Sequence, residues 1–315
     1  MQGFDITKEQ KIIPIHDKMK QMDHAAWLIF TKEEIENLKQ SGEIYKRLQL
    51  NEFMLKRWLD SEKIAKVEIY AQYDFGILQK IIWNGKNYKT EFIYYLIDKN
   101  QLVIVVDELG DWLKEFIQTL QKDKVDGYTL GYVFYRILDD IIAEDRGHLE
   151  EIQSCIEHLE NDVLNDVVQH FLKEMSELKK QIAIFKGHYD PLIDIIEDLI
   201  GNDNEICTRE DVRYFKILKN RVSRLNHLID QINEYTTHVR EAYDAQVDIQ
   251  LNRIMKYFTL MTSLFLPLTL IVGWYGMNFT SMPEISWKYG YFYVIILSLL
   301  SSVVCIWWFK KKKWL

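Results

Sequence analysis

Tyr257-Phe-Thr-Leu-Met-Thr-Ser-Leu-Phe-Leu-Pro-Leu-Thr-Leu-Ile-Val-Gly-Trp-Tyr-Gly-Met-Asn-Phe279 is the stretch on which the fold turns. It contains an apolar segment, Tyr257–Val272, that exits into Tyr275-Gly276-Met277-Asn278-Phe279, and a second apolar segment, Tyr289–Phe309, follows after a short loop. No charged residue lies between Lys256 and Glu284, or between Lys288 and Lys310. Each run is therefore long enough to cross a bilayer core about 30 Å thick, which takes about 20 residues of helix. A glycine and an asparagine at the mouth of a membrane hairpin offer backbone carbonyls beside a neutral amide. Those are groups that hold a hydrated cation.

Basic residues set the expected topology. Lys310, Lys311, Lys312 and Lys313 flank the second span, and Arg253 with Lys256 flank the first. The positive-inside rule puts both flanks, and so both termini, on the cytoplasmic side of the cell (inner) membrane. The loop at about 280–288, with one Glu and one Lys, faces the other side. The start of the chain, Met1-Gln-Gly-Phe-Asp5, has no apolar core of a signal peptide, so insertion information is expected at the C-terminal end.

The net charge of −8 conceals an asymmetry. Residues 251–315 carry seven basic side chains against Glu284 alone, a balance of +6 that leaves −14 for residues 1–250. An acidic soluble part excludes a nucleic-acid partner, which needs a basic surface, and is compatible with drawing cations in. Most of those acids also read simply as solvated helix faces. Cys155, Cys207 and Cys305 are scattered and form no CxxC pair, which fits a reducing cytosol and neither a zinc ribbon nor a disulfide framework. No P-loop, GxGxxG, HExxH or GxSxG is present, so neither an enzyme nor an organic small-molecule substrate is expected. His148 and His158 lie ten apart and do not share a close metal face.

Working outward toward the N-terminus, residues 1–125 read as an α/β domain. Trp27–Phe30, Val67–Tyr70, Phe75–Trp83, Phe92–Ile97 and Leu102–Val106 are β-branched and aromatic runs, the later ones separated by Asn84-Gly85-Lys86-Asn87 and Asp98-Lys99-Asn100 as in hairpins. Lys32–Lys39, Ile44–Leu59 and Asp111–Gln121 read as helices. Residues 126–207 read as an antiparallel pair of long helices, about 130–165 and 167–200, turning near 161–166. Gly201-Asn-Asp-Asn204 breaks the run, and Thr208 with Asp211 three residues on is an N-cap signature. From 208 to 275 no Gly or Pro intervenes before Pro267, so a single helix of roughly 90 Å or more is expected to run from the cytosol into the membrane, its membrane part at about 254–275. A helix of that length usually packs against copies of itself. Residues 276–288 then form an external loop, 289–309 the second span and 310–315 a basic cytoplasmic tail. The fold class is an α+β cytosolic domain, long helices and a C-terminal two-helix transmembrane hairpin.

One stripe down the first span steps by three and four: Asn252, Met255, Thr259, Thr262, Leu266, Thr269, Gly273, Gly276. From Thr259 onward, five of its six positions are polar or small, while Leu260, Leu264, Leu268 and Ile271 occupy the opposite flank and Phe258 lies beside the stripe. Two readings stand. Small and hydroxylated residues mark tight helix contacts in membranes, and Gly273-x-x-Gly276 permits close approach; the same residues can line a pore. The stripe has no Asp or Glu, so a cation passing it meets hydroxyls, carbonyls and an amide. Pro267 removes an N–H and frees the carbonyl of Ser263, which must find a partner or water, a water-filled lumen being one answer. A neutral Gly-x-Asn mouth suits Mg2+, which dehydrates reluctantly and commonly keeps several waters.

Tyr275-Gly276-Met277-Asn278 resembles the signature of the CorA magnesium transporters, and Leu266-Pro267-Leu268-Thr269, Met282-Pro283-Glu284 and the Lys310-to-Leu315 tail are similar to that family too. The order of elements matches over the whole chain, and residue-level likeness concentrates in 250–315. The resemblance implies a funnel-like homopentameric channel embedded in the lipid bilayer, its first spans lining the pore. Gly276, Met277 and Asn278 would be the selectivity filter, and Asn252, Met255, Phe258, Thr259, Thr262, Leu266, Thr269 and Gly273 the conduit. Lys310, Lys311, Lys312 and Lys313 would be a basic collar. It further implies inward passage of Mg2+, with Co2+ and Ni2+, down the membrane potential, and gating by cytosolic Mg2+ between acidic faces of neighbouring subunits. In some relatives an acid closely follows the Tyr-Phe-basic run at the start of the long helix. Here Tyr214-Phe215-Lys216 is followed by Ile217, Leu218 and Lys219, which leaves Asp139, Asp140, Glu144 and Asp145 as the candidate regulatory acids, alongside their reading as solvated helix acids. A zinc-carrying relative, often with Val or Ile between the Gly and the Asn, and a non-transporting two-span scaffold or sensor are the alternatives.

Overall fold

The computed structural model describes residues 2–6, 12–14, 25–41, 65–83, 87–122, 128–165, 170–278, 282–283 and 287–312. The chain divides into two compact units, residues 1–159 with 169–239, and residues 160–168 with 240–315.

The first unit is built on a seven-stranded sheet of order β2-β1-β3-β7-β6-β5-β4. Its strands are β1 (Gln2–Ile6), β2 (Ile12–Pro14), β3 (Ala25–Thr31), β4 (Lys66–Ile69), β5 (Tyr73–Trp83), β6 (Tyr88–Asp98) and β7 (Gln101–Val106). β4 to β7 form an antiparallel meander, and β3 pairs with β7 in parallel. The β6–β7 turn is tied by Asp98, whose Oδ1 accepts from the backbone N–H of Asn100 at 2.6 Å and of Gln101 at 2.9 Å. β3 and β7 are continuous apolar runs because both of their faces are covered. On one face Ala26, Leu28, Phe30, Val103 and Val105 pack with Ile35 of α1 (Lys32–Ser41). On the other, Trp27 meets Phe116 of α2 (Asp111–Lys122) at 6.1 Å between ring centres, and Tyr95 meets Phe134 of α3 (Leu130–Ile141) at 4.6 Å. The five expected strands are all present. β1 and β2 were not expected from the sequence, since neither short segment shows a clear β alternation; β1 is recruited by pairing with β3, and its Phe4 stacks on Trp27 at 5.0 Å. The helix expected over Ile44–Leu59 lies outside the described residues.

The expected helix over 130–165 is two helices, α3 and α4 (Asp145–Leu164), joined by a turn at 142–144. Tertiary partners make the break. Lys80 of β5 reaches the carbonyl of Asp140 at 2.9 Å, and the backbone closes into three-residue turns, Ala143 N–H to Asp140 O and Asp145 N–H to Ile142 O, each at 3.3 Å. No Gly or Pro lies in the turn itself, and Gly147 just beyond it did not interrupt the apolar period. α5 (Phe171–Gly201) buries Phe171, Met175, Leu178, Ile182, Phe185 and residues beyond at helical spacing.

α6 runs unbroken over Arg209–Tyr275, 67 residues and roughly 100 Å. Its N-terminus carries the expected reciprocal cap. Asp211 N–H donates to Thr208 Oγ1 at 3.2 Å, and Thr208 N–H donates to Asp211 Oδ2 at 2.9 Å. Between Phe215 and Val239 the helix buries a stripe stepping by three and four; beyond Val239 none of its described residues is fully buried. In the second unit the remainder of α6 is accompanied by α7 (Gly290–Lys311). These are the two helices long and apolar enough to cross a membrane.

Candidate functional site

Within the second unit the two sides of α6 differ. Leu260, Ser263, Leu264, Pro267, Leu268, Ile271 and Tyr275 are half-buried. α7 has a matching half-buried stripe that includes Val294, Ser298, Ser302 and Cys305, and the helices touch where Cys305 Sγ comes 3.8 Å from the carbonyl of Ser263. The opposite side of α6, carrying Asn252, Met255, Thr259, Thr262, Leu266, Thr269, Gly273 and Gly276, is exposed throughout, as is Phe258. The polar stripe is therefore not the surface α6 uses against α7.

Its hydroxyls are oriented. Thr259, Thr262 and Thr269 donate their only hydroxyl protons back to the carbonyls of Met255, Phe258 and Phe265, at 2.8, 2.8 and 2.9 Å. With the proton committed inward, each oxygen offers outward only lone pairs. A column of acceptors complements the outward-pointing hydrogens of a hydrated cation and offers an anion nothing. Met255, Phe258 and Leu266 interrupt it with apolar surface.

The column ends at the C-terminus of α6. Gly276 N–H donates to the carbonyl of Val272 at 2.9 Å, and Met277 N–H to that of Trp274 at 3.4 Å. A Cβ at position 276 would stand 2.9 Å from the Val272 oxygen, so this turn of backbone has no room for a side chain. Gly276, Met277 and Asn278 are all exposed. The end of a helix carries about half a unit of negative charge, which favours cations, and here it adjoins the neutral Asn278 amide.

The four candidate regulatory acids lie in the first unit, and each has a partner there. Asp139 forms an ion pair with Arg221. Asp140 Oδ2 is 3.7 Å from Lys80 Nζ, and burial holds its carboxyl above the usual range. Asp145 is buried; its Oδ2 accepts from the Tyr189 hydroxyl at 3.2 Å and stands 3.7 Å from His188 Nε2. Burial pushes Asp145 up to about 7 and His188 down to about 3. Glu144 is exposed, 4.0 Å from His148 Nε2. Among the described residues no group of three or more His, Cys, Asp or Glu side chains is arranged to hold a metal ion. At the far end of α7, Lys310, Lys311 and Lys312 are exposed, and Lys311 Nζ lies 5.1 Å over the Trp307 ring; Lys313 falls outside the described residues.

Two features escaped the sequence reading. Aromatic side chains gather at both ends of α7. Trp287 lies 6.1 Å from Tyr289 and 6.4 Å from Tyr293 between ring centres, and Trp307 and Trp308 sit near the other end. Such belts mark the headgroup level of a bilayer, and their spacing about 20 residues apart was open to view in the sequence. The second is the answer to the carbonyl freed by Pro267. Ser263 faces α7 rather than the polar stripe, and its carbonyl meets the Cys305 thiol at 3.8 Å, a partner supplied by the other helix.

A family described as CorA-like Mg2+ transporter protein matches residues 23–311. A magnesium transport protein CorA of Helicobacter pylori strain J99 is 41% identical over 82% of this chain and 79% of its own length. The cobalt/magnesium transport protein CorA of Thermotoga maritima is 24% identical over 99% of this chain and 88% of its own. Among solved structures, the complete CorA magnesium transporter from Methanocaldococcus jannaschii is similar with a TM-score of 0.86, 21% identity, and coverage of 100% of this chain and 98% of that one. The ZntB cytoplasmic domain from Vibrio parahaemolyticus is similar in fold over 79% of this chain and 98% of its own, with a TM-score of 0.65 and 15% identity.

Proposed function

The chain belongs to the CorA-like Mg2+ transporter family, and from that premise we propose that it conducts Mg2+, with Co2+ and Ni2+, inward across the cell membrane down the membrane potential. A family of transporters gives no ground for assigning catalytic residues. The observation that carries the reading is the acceptor column of Thr259, Thr262 and Thr269, left uncovered by α7 and ending at the exposed Gly276–Asn278 mouth.

The chemistry follows from the absence of carboxylates on that path. Mg2+ gives up its waters reluctantly, so the favourable arrangement binds the waters and leaves the ion clothed. The Asn278 amide, repeated around a homopentamer, accepts from those waters at the mouth, and Gly276 brings its backbone close. Threonine oxygens accept again further in. Binding of this kind is weak enough for the ion to leave, as conduction requires. A divalent ion moving across about 100 mV gains roughly 4–5 kcal/mol. The exposed Lys310–Lys312 cluster belongs on the cytoplasmic side in this topology, with both termini inside.

Gating by cytosolic Mg2+ is the regulatory part of the proposal. With −14 on residues 1–250, adjoining copies repel one another, bound divalent ions relieve the repulsion, and their loss lets the copies separate.

Asn278→Ala tests the mouth. Produced in a host that depends on an added Mg2+ transporter, the variant is expected to reach the membrane at wild-type level and to lose Mg2+ uptake at least tenfold. Wild-type rescue by that variant sinks the filter assignment. Competition of Mg2+ uptake by Co2+, Ni2+ and Zn2+ in the wild type ranks the ions, and Zn2+ outcompeting Mg2+ would move the chain to the zinc-carrying branch.

A further inference from the structure

We propose that Cys305 is a positioning residue of the conduction path, its thiol supplying from α7 the hydrogen bond that Pro267 denies to the carbonyl of Ser263. The inference rests on the reading that α6 and α7 span the bilayer and carry Mg2+.

In an α-helix the carbonyl of residue 263 accepts from the N–H of residue 267. Proline has no N–H, and its ring pushes against that same carbonyl. In water the loss is made good by solvent. In a bilayer the group must be answered by protein, by an adjoining helix or by an ordered water. Cys305 Sγ is 3.8 Å from the Ser263 oxygen, within reach of an S–H···O bond, and both residues lie in the second unit. Two serines on the same side of α7 are otherwise occupied. Ser298 donates to the carbonyl of Val294 at 2.9 Å, and Ser302 donates to that of Ser298 at 3.0 Å. The donor that crosses to α6 at this level is the thiol.

The position gives the contact a consequence for transport. Ser263 and Pro267 each directly follow a stripe residue, Thr262 and Leu266 respectively, so the missing hydrogen bond falls inside the acceptor column. How far α6 bends there sets the line from Thr262 to Thr269. A thiol is a weak donor, but in a bilayer even a weak donor answers a carbonyl that has no water to turn to.

A double-mutant cycle tests this on the full chain in membranes. Cys305→Val removes the donor at similar volume. Pro267→Ala restores the N–H within α6. Cys305→Val is expected to lower initial Mg2+ uptake several-fold per assembled protein, and Cys305→Ser to keep it near wild type. In the Pro267→Ala background, Cys305→Val is expected to add no further loss, because the carbonyl is then answered within its own helix. Infrared spectroscopy of the S–H stretch reads the contact independently of transport. The Cys305 band, isolated by subtracting the Cys305→Val spectrum, should sit at a hydrogen-bonded frequency in wild type and move to the free position in Pro267→Ala. An equal loss of uptake from Cys305→Val in both backgrounds overturns the proposal, as does a free S–H band in wild type or full uptake by Cys305→Val. If Cys305→Val fails to assemble, the band is isolated against Cys305→Ser, and wild type compared with Pro267→Ala decides. A wild-type protein with no Mg2+ uptake sinks the transport reading, whereas wild-type uptake indifferent to residue 305 sinks this one.

Discussion

Asp145 keeps a carboxyl where water is largely absent, and its proton is linked to the stability of the first unit. Burial raises it from its ordinary value to about 7, so the folded chain holds the proton at pH values where the unfolded chain has released it. Its stabilising contribution is complete below about pH 4 and is lost as pH rises through 7. His188 runs the other way. Burial holds it down to about 3, so its contribution is complete above its ordinary value near 6.5 and is lost as pH falls toward 3. Between those limits the pair carries one proton, with Lys80, Glu144 and Tyr189 as its charged and titratable neighbours. Asp145→Asn keeps an acceptor for Tyr189 and removes the charge. We expect it to raise the unfolding midpoint of the full chain at pH 8, the free energy of unfolding rising by up to about 4 kcal/mol, with the difference closing by pH 4. Equal midpoints at pH 8 would refute this. The sequence placed Asp145 among possible regulatory acids and could not show its burial, because the residues that enclose it, His188 and Tyr189, arrive more than forty positions later.

Among the elements, the start of α6 shows what local sequence does and does not reveal. Thr208 and Asp211 were legible as a cap because a capping box lies within four consecutive residues. What was hidden is that the same carboxylate also caps across the fold. Asp211 Oδ1 accepts from the hydroxyl of Thr129, which in turn accepts from the N–H of Tyr132 at 3.0 Å at the start of α3. One buried carboxylate thus serves two helix ends, and Gly131 leaves it room, since a Cβ there would collide with the Asp211 side chain. Asp211→Ala strips partners from Thr129 and Thr208 together, and the expected cost is about 2–4 kcal/mol. Urea unfolding of the full chain, followed by far-ultraviolet circular dichroism, measures it, and a loss under about 1 kcal/mol would show the double cap to be inert. The break between α3 and α4 was illegible for the complementary reason. Lys80, which holds the Asp140 carbonyl there, lies sixty residues away, and within 137–152 Gly147 is the one local hint in an apolar series that keeps helical spacing.

For the whole molecule, the second unit states what surroundings it needs. Met261, Phe265, Leu270 and Val272 on α6, and Phe292, Ile296, Leu299 and Val303 on α7, present large apolar surface to the outside, far more than a soluble chain leaves bare. The acceptor column demands the opposite, water or copies of itself. A bilayer around an oligomer with an aqueous interior satisfies both. In liposomes, raising Mg2+ on the cytoplasmic side through the millimolar range is expected to lower Mg2+ flux several-fold; flux that stays constant would reject closure by the transported ion. The unbroken α6 also has a consequence for chain length. Within the second unit α6 turns Leu260, Leu264, Pro267 and Ile271 toward α7 and its threonine column away from it. With no glycine or proline between Thr208 and Pro267, residue number on this helix is angular phase. Loss of one residue between Thr262 and Thr269 turns Thr269, Gly273 and Gly276 by about 100° against Thr259 and Thr262. In this stretch the number of residues matters more than which residues they are.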